Sequence, residues 1–524
     1  MDMKKFQILG LAVLTCVVCL SSCTKELNRN PPNTLTPANA LSNAAGYKTF
    51  LAKVYGSFAL TSSTGPGNTD LAGIDAGTSD FLRLYWNAEE LPTDEAACTW
   101  NDPGVPDFHN MNWTSNNVIL LGLYVRSIYQ ITVANQFIAQ SSDAALSSKG
   151  ISGEDATNIR YFRAEARFLR AYQYWVLINE FGNPPFVDEN TPIGATLPKQ
   201  ISRKALYTYI QSELKAIDPL LMAPHKNEYG RADQAADWAL QARLYLNAQV
   251  YTGTADWADA ITYAQKVIAA GYPLMTNYAN LFEADNNLNN TEVILSINYD
   301  GTNTQNYGGT TFIINSSISS QMIPASFGLP NGGWGGNRAT QSLPTLFTGS
   351  SESGDVRNLF FSKGHTLNMD TLQSFTSGYA ATKFTNETSA GVPGNSTGGV
   401  FASTDFPLFR SAEAYLIIAE AALHTGDAAT ALAAYNVVRA RAHATIAGSI
   451  TLQDVLDERS REFYWEATRR TDLIRYGLFT TGTYLWAFKG GVANGKSVED
   501  FRNLYPIPSN DVTANPNLTQ NTGY

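Results

Sequence analysis

Side-chain types that do chemistry are present in this chain, but few stand at spacings that chemistry needs. Five histidines, at 109, 225, 365, 424 and 443, form no metal-spaced pair. Nothing in the sequence favours a nucleophilic serine at a strand-to-helix elbow. Asp94 and Glu95 are paired carboxylates, and glycoside hydrolysis would need two such groups at a set separation across a cleft. Residues 284–292, ADNNLNNTE, offer oxygen ligands for Ca²⁺ without the ordered spacing of a known calcium loop. Glu458, Arg459, Arg461, Glu462, Arg469 and Arg470 crowd one stretch and read as a structural ion-pair network. No metal and no cofactor is expected, with Ca²⁺ the one open possibility. The better signal is aromatic. Trp100 precedes Asn101-Asp102-Pro103-Gly104, Tyr307 stands between Asn306 and Gly308, and Trp334 sits in Gly332-Gly333-Trp334-Gly335-Gly336. Glycine supplies no packing wall, so such rings read as exposed, and exposed rings mean recognition. The alternative is that each ring plugs the lobe beneath it.

Bulk properties narrow the ligand. The chain has 524 residues, 44% hydrophobic and 16% charged, enough for a large core. Acidic residues outnumber basic ones, 46 to 36, and no Lys/Arg cluster stands out, which excludes nucleic acid as a partner. Lys4 and Lys5 precede an apolar run over residues 6–20 that is too short to span a membrane. It ends in Leu20-Ser21-Ser22-Cys23, which resembles the bacterial lipoprotein cleavage box. Residues 1–22 thus read as a lipoprotein signal peptide and Cys23 as the lipidated first residue; an ordinary signal peptide cut nearby is the alternative. Cys16 and Cys19 leave with the leader, so only Cys98 remains and no intramolecular disulfide is possible.

The elements that must hold these rings are helical. Residues 23–39 are a Pro/Asn/Thr tether. A helical scaffold is expected over 40–280, interrupted near 81–106 by a structured loop with no regular period. In it, a helix opens near residue 40, others cover 116–140 and 158–181, and Ser202 caps a further one. Residues 244–273 have the spacing of a tetratricopeptide hairpin, with Ala248, Ala260 and Ala264 where two helices touch. The template recurs about Ala419, with Ala422, Ala431, Tyr435 and Val438 at the same offsets. One hairpin cannot bury its own apolar face, so stacked neighbours are required. A strand is expected at 292–299, within a loop-rich lobe over 281–406 that has no helical period. Helix resumes over 407–480, with a second repeat and a long helix that Thr451 and Asp454 open as a capping box. Residues 481–524 form an extended C-terminal segment.

Several runs resemble the SusD/RagB family of outer-membrane nutrient-binding lipoproteins. They are RAEARFLRAYQYWVLINEFGNPPFV, FPLFRSAEAYLIIAEA, REFYWEATRRTDLIRYG and LYPIPSNDVTANPNLTQNTGY. ELPTDE, NYGGTTF, YLWAFKGG and NGKSV resemble its starch-binding branch. The resemblance implies a mainly α fold: tetratricopeptide-like hairpins as scaffold, and an irregular loop-rich lobe with short β-strands. It implies a lipid-anchored protein on the cell exterior that binds starch-like α-glucan. A SusC-like TonB-dependent transporter would be its partner. It implies a glycan site of Arg83, Trp100, Tyr307 and Trp334, with Asn101 or Asp102 as a hydroxyl partner. A further ring of the family's arc is replaced by Cys98, which puts the preferred glucan in doubt.

Such a set suits a sugar. A glucose ring has an apolar C–H face for aromatic side chains and a hydroxyl edge for Arg, Asn or Asp. Stacks placed on a curve select a curved chain. A different glucan such as dextran, a polysaccharide hydrolase and a protein-binding tetratricopeptide adaptor are the rival readings. Arg83 as an internal salt-bridge partner is the bland one.

Overall fold

The computed structural model describes residues 40–524 except 193, 195 and 289. The leader, Cys23 and the tether lie outside the described residues. The fold is mainly α. Helices α1 (Ala44–Ala59), α2 (Phe81–Glu90), α3 (Val105–Asn110), α4 (Val118–Gln140), α5 (Asp143–Ser148) and α6 (Gly153–Glu180) open it. Then come α7 (Arg203–Ile217), α8 (Gln234–Leu246), α9 (Ala248–Thr252) and α10 (Trp257–Ala269). The lobe carries α11 (Gly309–Ser317) and α12 (Ser342–Thr345). The chain closes with α13 (Ser411–His424), α14 (Ala428–Arg441), α15 (Leu452–Phe463), α16 (Arg469–Arg475) and α17 (Ser509–Ala514). Short antiparallel pairs join β1 (Ala96–Cys98) to β5 (Asn337–Ala339) and β2 (Pro185–Phe186) to β3 (Lys199–Gln200). Likewise β4 (Val293–Ile297) pairs with β8 (Phe406–Arg410), and β6 (Phe360–Phe361) with β7 (Ala380–Ala381).

The two repeat hairpins form as the small residues require. Ala248, Ala260, Ala264, Ala419, Ala422 and Ala431 are all buried, and α8, α10, α13 and α14 pack in succession. Tyr251, Val267, Tyr435 and Val438 fill the spaces between neighbouring helices. Helix α4 is long and apolar enough to cross a membrane by composition, yet most of that stretch is buried inside the protein, and it packs on α6 as a core helix.

Four expectations need correction. Residues 81–106 are not a loop, because α2, β1 and the start of α3 lie there. Asp80 caps α2, which at ten residues is shorter than the window over which a helical period is read from sequence. The lobe contains α11, again buried on all sides. Residues 406–410 are strand, and helix begins only at Ser411. The last long helix is broken. The capping box of Thr451 and Asp454 is present, but α15 stops at Phe463, and Trp465 and Ala467 take positive φ before α16 begins.

That break places charges. Glu462 accepts from Arg357 at 2.9 Å, from Arg410 at 2.5 Å and from Arg441. Glu466 accepts from Arg410 at 2.7 Å and from Lys383 at 2.6 Å. Glu292, just ahead of β4, bridges Arg410 and Arg441 at 2.8 Å each. The arginines and carboxylates of residues 458–475 thus form the expected structural network, most of it buried, with Arg461 at its edge. Burial alone would raise the Glu462 carboxyl, but Arg441, Arg410 and Arg357 more than offset it and hold the group well below the usual glutamate range.

Removing one partner leaves the others buried and uncompensated. Glu462→Gln is therefore expected to lower stability by about 3–5 kcal/mol at neutral pH. A depressed carboxyl contributes stability that is present above its unfolded value and is lost as pH falls through its folded one. The difference in urea midpoint between wild type and variant should narrow as pH drops below about 4.3.

Candidate functional site

Two rings meet at one end of the β1–β5 ribbon. Antiparallel pairing sets Cys98 opposite Asn337, so Trp100 leaves the ribbon beside the turn that carries Trp334. The Thr99 amide donates to the Gly336 carbonyl at 3.0 Å and extends the ladder. The two indoles lie 6.4 Å apart and are tilted by 45°. Both are half-buried rather than fully exposed. Gly336 is required for this. A Cβ there would lie 2.3 Å from Trp100 Cε2, inside the ring's contact distance.

The Trp334 turn is held by the C-terminal end of α11. Trp334 N donates to Asn315 O at 2.7 Å, Gly335 N to Ile318 O at 2.9 Å and Gly336 N to Ser316 O at 2.7 Å. The N-terminal end of the same helix holds Tyr307. Asn306 is buried, donates to the Ala59 carbonyl and accepts from Gly308 N, both at 2.5 Å, so Tyr307 is projected outward. Its ring is 39% exposed and leans on Phe401 at 5.3 Å. Gly308 passes so close to Asp80 that a Cβ would lie 2.1 Å from the Asp80 Cβ.

Arg83 joins these parts. It stands in the first turn of α2, where Asp80 accepts both its amide at 2.9 Å and that of Gly309 at 2.7 Å. Its Nη1 donates to the Gly77 carbonyl at 2.7 Å and approaches the Tyr307 carbonyl at 3.4 Å. The guanidinium lies 4.7 Å from the Phe312 ring centre and 6.0 Å from that of Trp100. It makes no ion pair among the described residues, so the salt-bridge alternative does not hold. Burial pushes its pKa below the ordinary arginine value, with Asp75 and Asp102 opposing. Asn101 and Asp102 are both exposed on the adjoining turn, which Asn117 holds through the Gly104 carbonyl at 3.0 Å. All of the sequence-derived positions therefore fall on one patch.

Cys98 departs from expectation. Its side chain is 4% exposed and belongs to the core under the patch. Burial raises the thiol to about 12, and its amide donates to His109 Nε2 at 3.0 Å. Burial lowers His109 to about 3, as does Arg338, so it stays a neutral acceptor. An indole at 98 would have to displace covering groups, at a cost of about 1–3 kcal/mol for overpacking. Sequence reasoning did not find Phe312 or Asp80, and it read Gly336 only as a small neighbour of Trp334. Asp80 carried a signal as a cap residue directly before an apolar run.

The other candidates are engaged elsewhere. Asp94 is buried and takes Arg469 through two bonds of 2.7 Å. In the 284–292 loop, Asp285 accepts from Ser389, and Asn286 and Asn290 bond to the backbone. No group of three or more His, Cys, Asp or Glu among the described residues is placed to hold a metal ion.

Residues 348–524 match the SusD family model. The chain is 36% identical to "Starch-binding protein SusD" of Bacteroides thetaiotaomicron, over 98% of this chain and 97% of that one. This chain belongs to the SusD family. A SusD superfamily protein from Bacteroides vulgatus has the same fold, at a TM-score of 0.70 and 18% identity, covering 92% of this chain and 99% of its own. So does surface glycan-binding protein A from Bacteroides thetaiotaomicron, solved in complex with laminarihexaose. Its TM-score is 0.67 and its identity 19%, over 91% of this chain and 99% of that one.

Gly336→Ala tests the ring geometry of this SusD-family site. The added methyl must push the Trp100 indole off the ribbon, and the near-ultraviolet circular dichroism of the Trp100–Trp334 pair should change. Far-ultraviolet signal should stay within error of wild type, because the ribbon is only a few residues long.

Proposed function

We propose that this chain is a non-enzymatic, lipid-anchored glycan-binding protein of the outer membrane, facing the cell exterior. It captures starch-like α-glucan oligosaccharides and passes them to a SusC-like TonB-dependent transporter. The observation that carries the reading is the tilted indole pair with Tyr307 and Arg83 on the same patch. Two rings at 45° make a bent platform, which fits a curved glucan better than a flat one. Each stack contributes on the order of 1 kcal/mol beyond burial, by analogy with aromatic pairs. The Arg83 guanidinium and the exposed Asn101 and Asp102 offer partners for hydroxyls. The 36% identity to a protein named for starch binding supports α-1,4-glucan as the first ligand to test. Dextran is the second, because Cys98 gives the floor no ring.

Titration calorimetry with maltoheptaose, α-cyclodextrin and dextran oligomers decides among them. Trp100→Ala and Trp334→Ala should each weaken binding of the preferred glucan about tenfold or more, since a tenfold loss is only about 1.4 kcal/mol. Their melting temperatures should shift little, because half-exposed rings contribute less to the core than to a ligand. Wild-type protein that binds none of these glucans would overturn the reading. Release of reducing ends from starch would favour the hydrolase instead.

The anchor has its own test. Cys23→Ala should move the protein from the outer-membrane fraction to the soluble one, because acyl chains hold a protein by methylene burial. A variant that stays on membranes stripped of its transporter would sink the lipid anchor.

A further inference from the structure

The turn between α2 and β1 begins and ends in a glutamate. Glu90 is 0% exposed and Glu95 1%. Glu90 Oε1 accepts from the Ala467 amide at 2.6 Å, and Glu95 Oε1 from the Ser460 hydroxyl at 2.6 Å. The second oxygen of each carboxyl is buried and has no donor among the described groups. The two side chains are close enough to interact through a hydrogen bond. Two carboxylates facing each other in a buried site repel. One proton between them turns the repulsion into a hydrogen bond.

The surrounding charges decide where the proton sits. Arg469, on α16, approaches Glu95 Oε1 at 3.5 Å, although its two short bonds go to Asp94. Lys383, in the lobe, acts on Glu90 from farther away and is itself paired with Glu466 at 2.6 Å. Ser460, on α15, and the Ala467 amide are neutral donors. Glu95 therefore keeps the charge and Glu90 the proton. Burial, and then the Glu95 charge, pushes Glu90 well above the usual glutamate range. Burial raises Glu95 to about 7, with Arg469 opposing.

We propose that Glu90 and Glu95 are a one-proton positioning pair for the ring site, the neutral Glu90 carboxyl donating to Glu95. The role rests on the glycan-binding reading; the shared proton itself does not. The bond closes the turn that joins Arg83 on α2 to Trp100 just beyond β1. Loss of the proton sets two charges face to face, opens the turn and moves Trp100 away from Arg83. Both carboxyls have folded values above the unfolded one. Their contribution is complete in acid and is lost as pH rises through about 7 for Glu95 and through the raised value of Glu90. Glutamine at 90 supplies an N–H in place of the acid O–H and cannot ionise.

The test is α-cyclodextrin binding by the whole protein and by Glu90→Gln, from about pH 6 to about pH 10, with thermal unfolding followed in parallel. Wild-type affinity should fall about tenfold or more across the range, while Glu90→Gln stays within about twofold. A flat wild-type profile, or a fall that both proteins share, overturns the proposal. Carboxyl ¹³C resonances of glutamate-labelled protein locate the proton without any glycan. At neutral pH one protonated glutamate resonance should vanish in Glu90→Gln, while that of Glu89, which burial and Glu180 also push well up, should remain. Two ionised carboxylates at neutral pH would overturn the pair even if either variant fails to fold. Wild-type protein that binds no glucan at any pH would instead sink the glycan reading and leave the resonance result standing.

Discussion

The fold turns on a buried carboxylate, Glu462, that receives three arginines at once. Those arginines come from different parts of the chain. Arg357 belongs to the loop-rich lobe, Arg410 ends β8, and Arg441 ends α14. Lys383, also from the lobe, reaches the neighbouring Glu466. Each charge is costly to bury alone, and their mutual attraction does little more than offset that cost. The network therefore specifies more than it stabilises. Lobe and helical scaffold dock in one register, because any other leaves an unpaired charge in the interior. The break after α15 follows from the same demand. A continuous helix would carry Glu466 past Arg410 and Lys383. Positive φ at Trp465 and Ala467 turns the chain so that both charges are met.

That break also reaches the candidate site. Trp86 on α2 donates its indole N–H to the Trp465 carbonyl at 3.2 Å, and Glu90 accepts from the Ala467 amide. The Trp465 indole in turn donates to Ser317 at the end of α11 at 3.0 Å. Helix α2 carries Arg83, and α11 holds the Tyr307 and Trp334 turns at its two ends. Rings placed on irregular segments are thus fixed by a shared interior anchor. Such support behind the contact residues keeps a binding geometry defined without a ligand.

The sequence was legible where one face of an element meets water. The hairpins about Ala248 and Ala419 show small residues at fixed offsets where their helices touch, and the second helix of each, α10 and α14, keeps an exposed face. Helices α2 and α11 were not legible, because at ten and nine residues they are shorter than the window a helical period needs, and α11 is also buried on every side. The break at Trp465 was hidden for another reason: residues 452–475 suit one helix locally, and only long-range charges forbid it. Among the site positions, Trp100, Tyr307 and Trp334 stood out through small or polar neighbours. Their convergence could not be read, since it depends on Cys98 pairing with Asn337 across more than two hundred residues. Cys98 looked like a gap in a surface arc, but its side chain belongs to the core beneath, which periodicity does not reveal.

The character of the patch bears on what a glycan would do there. The two indoles are half-buried and already lean on each other, while Tyr307 leans on Phe401, so a ligand covers only their outer faces. Arg83 has neither a carboxylate partner nor full exposure, so its bonds to hydroxyls replace few bonds to water. Three modest stacks and a few hydrogen bonds sum to several kcal/mol before the cost of ordering a flexible chain. That leaves an affinity far from the tightest complexes, and differences of this kind lie mainly in dissociation rates. A preformed, shallow and bent platform therefore binds and releases quickly. Quick release would suit the proposed hand-over of glycan to a transporter. A deep enclosed pocket would hold the same sugar too long for transfer.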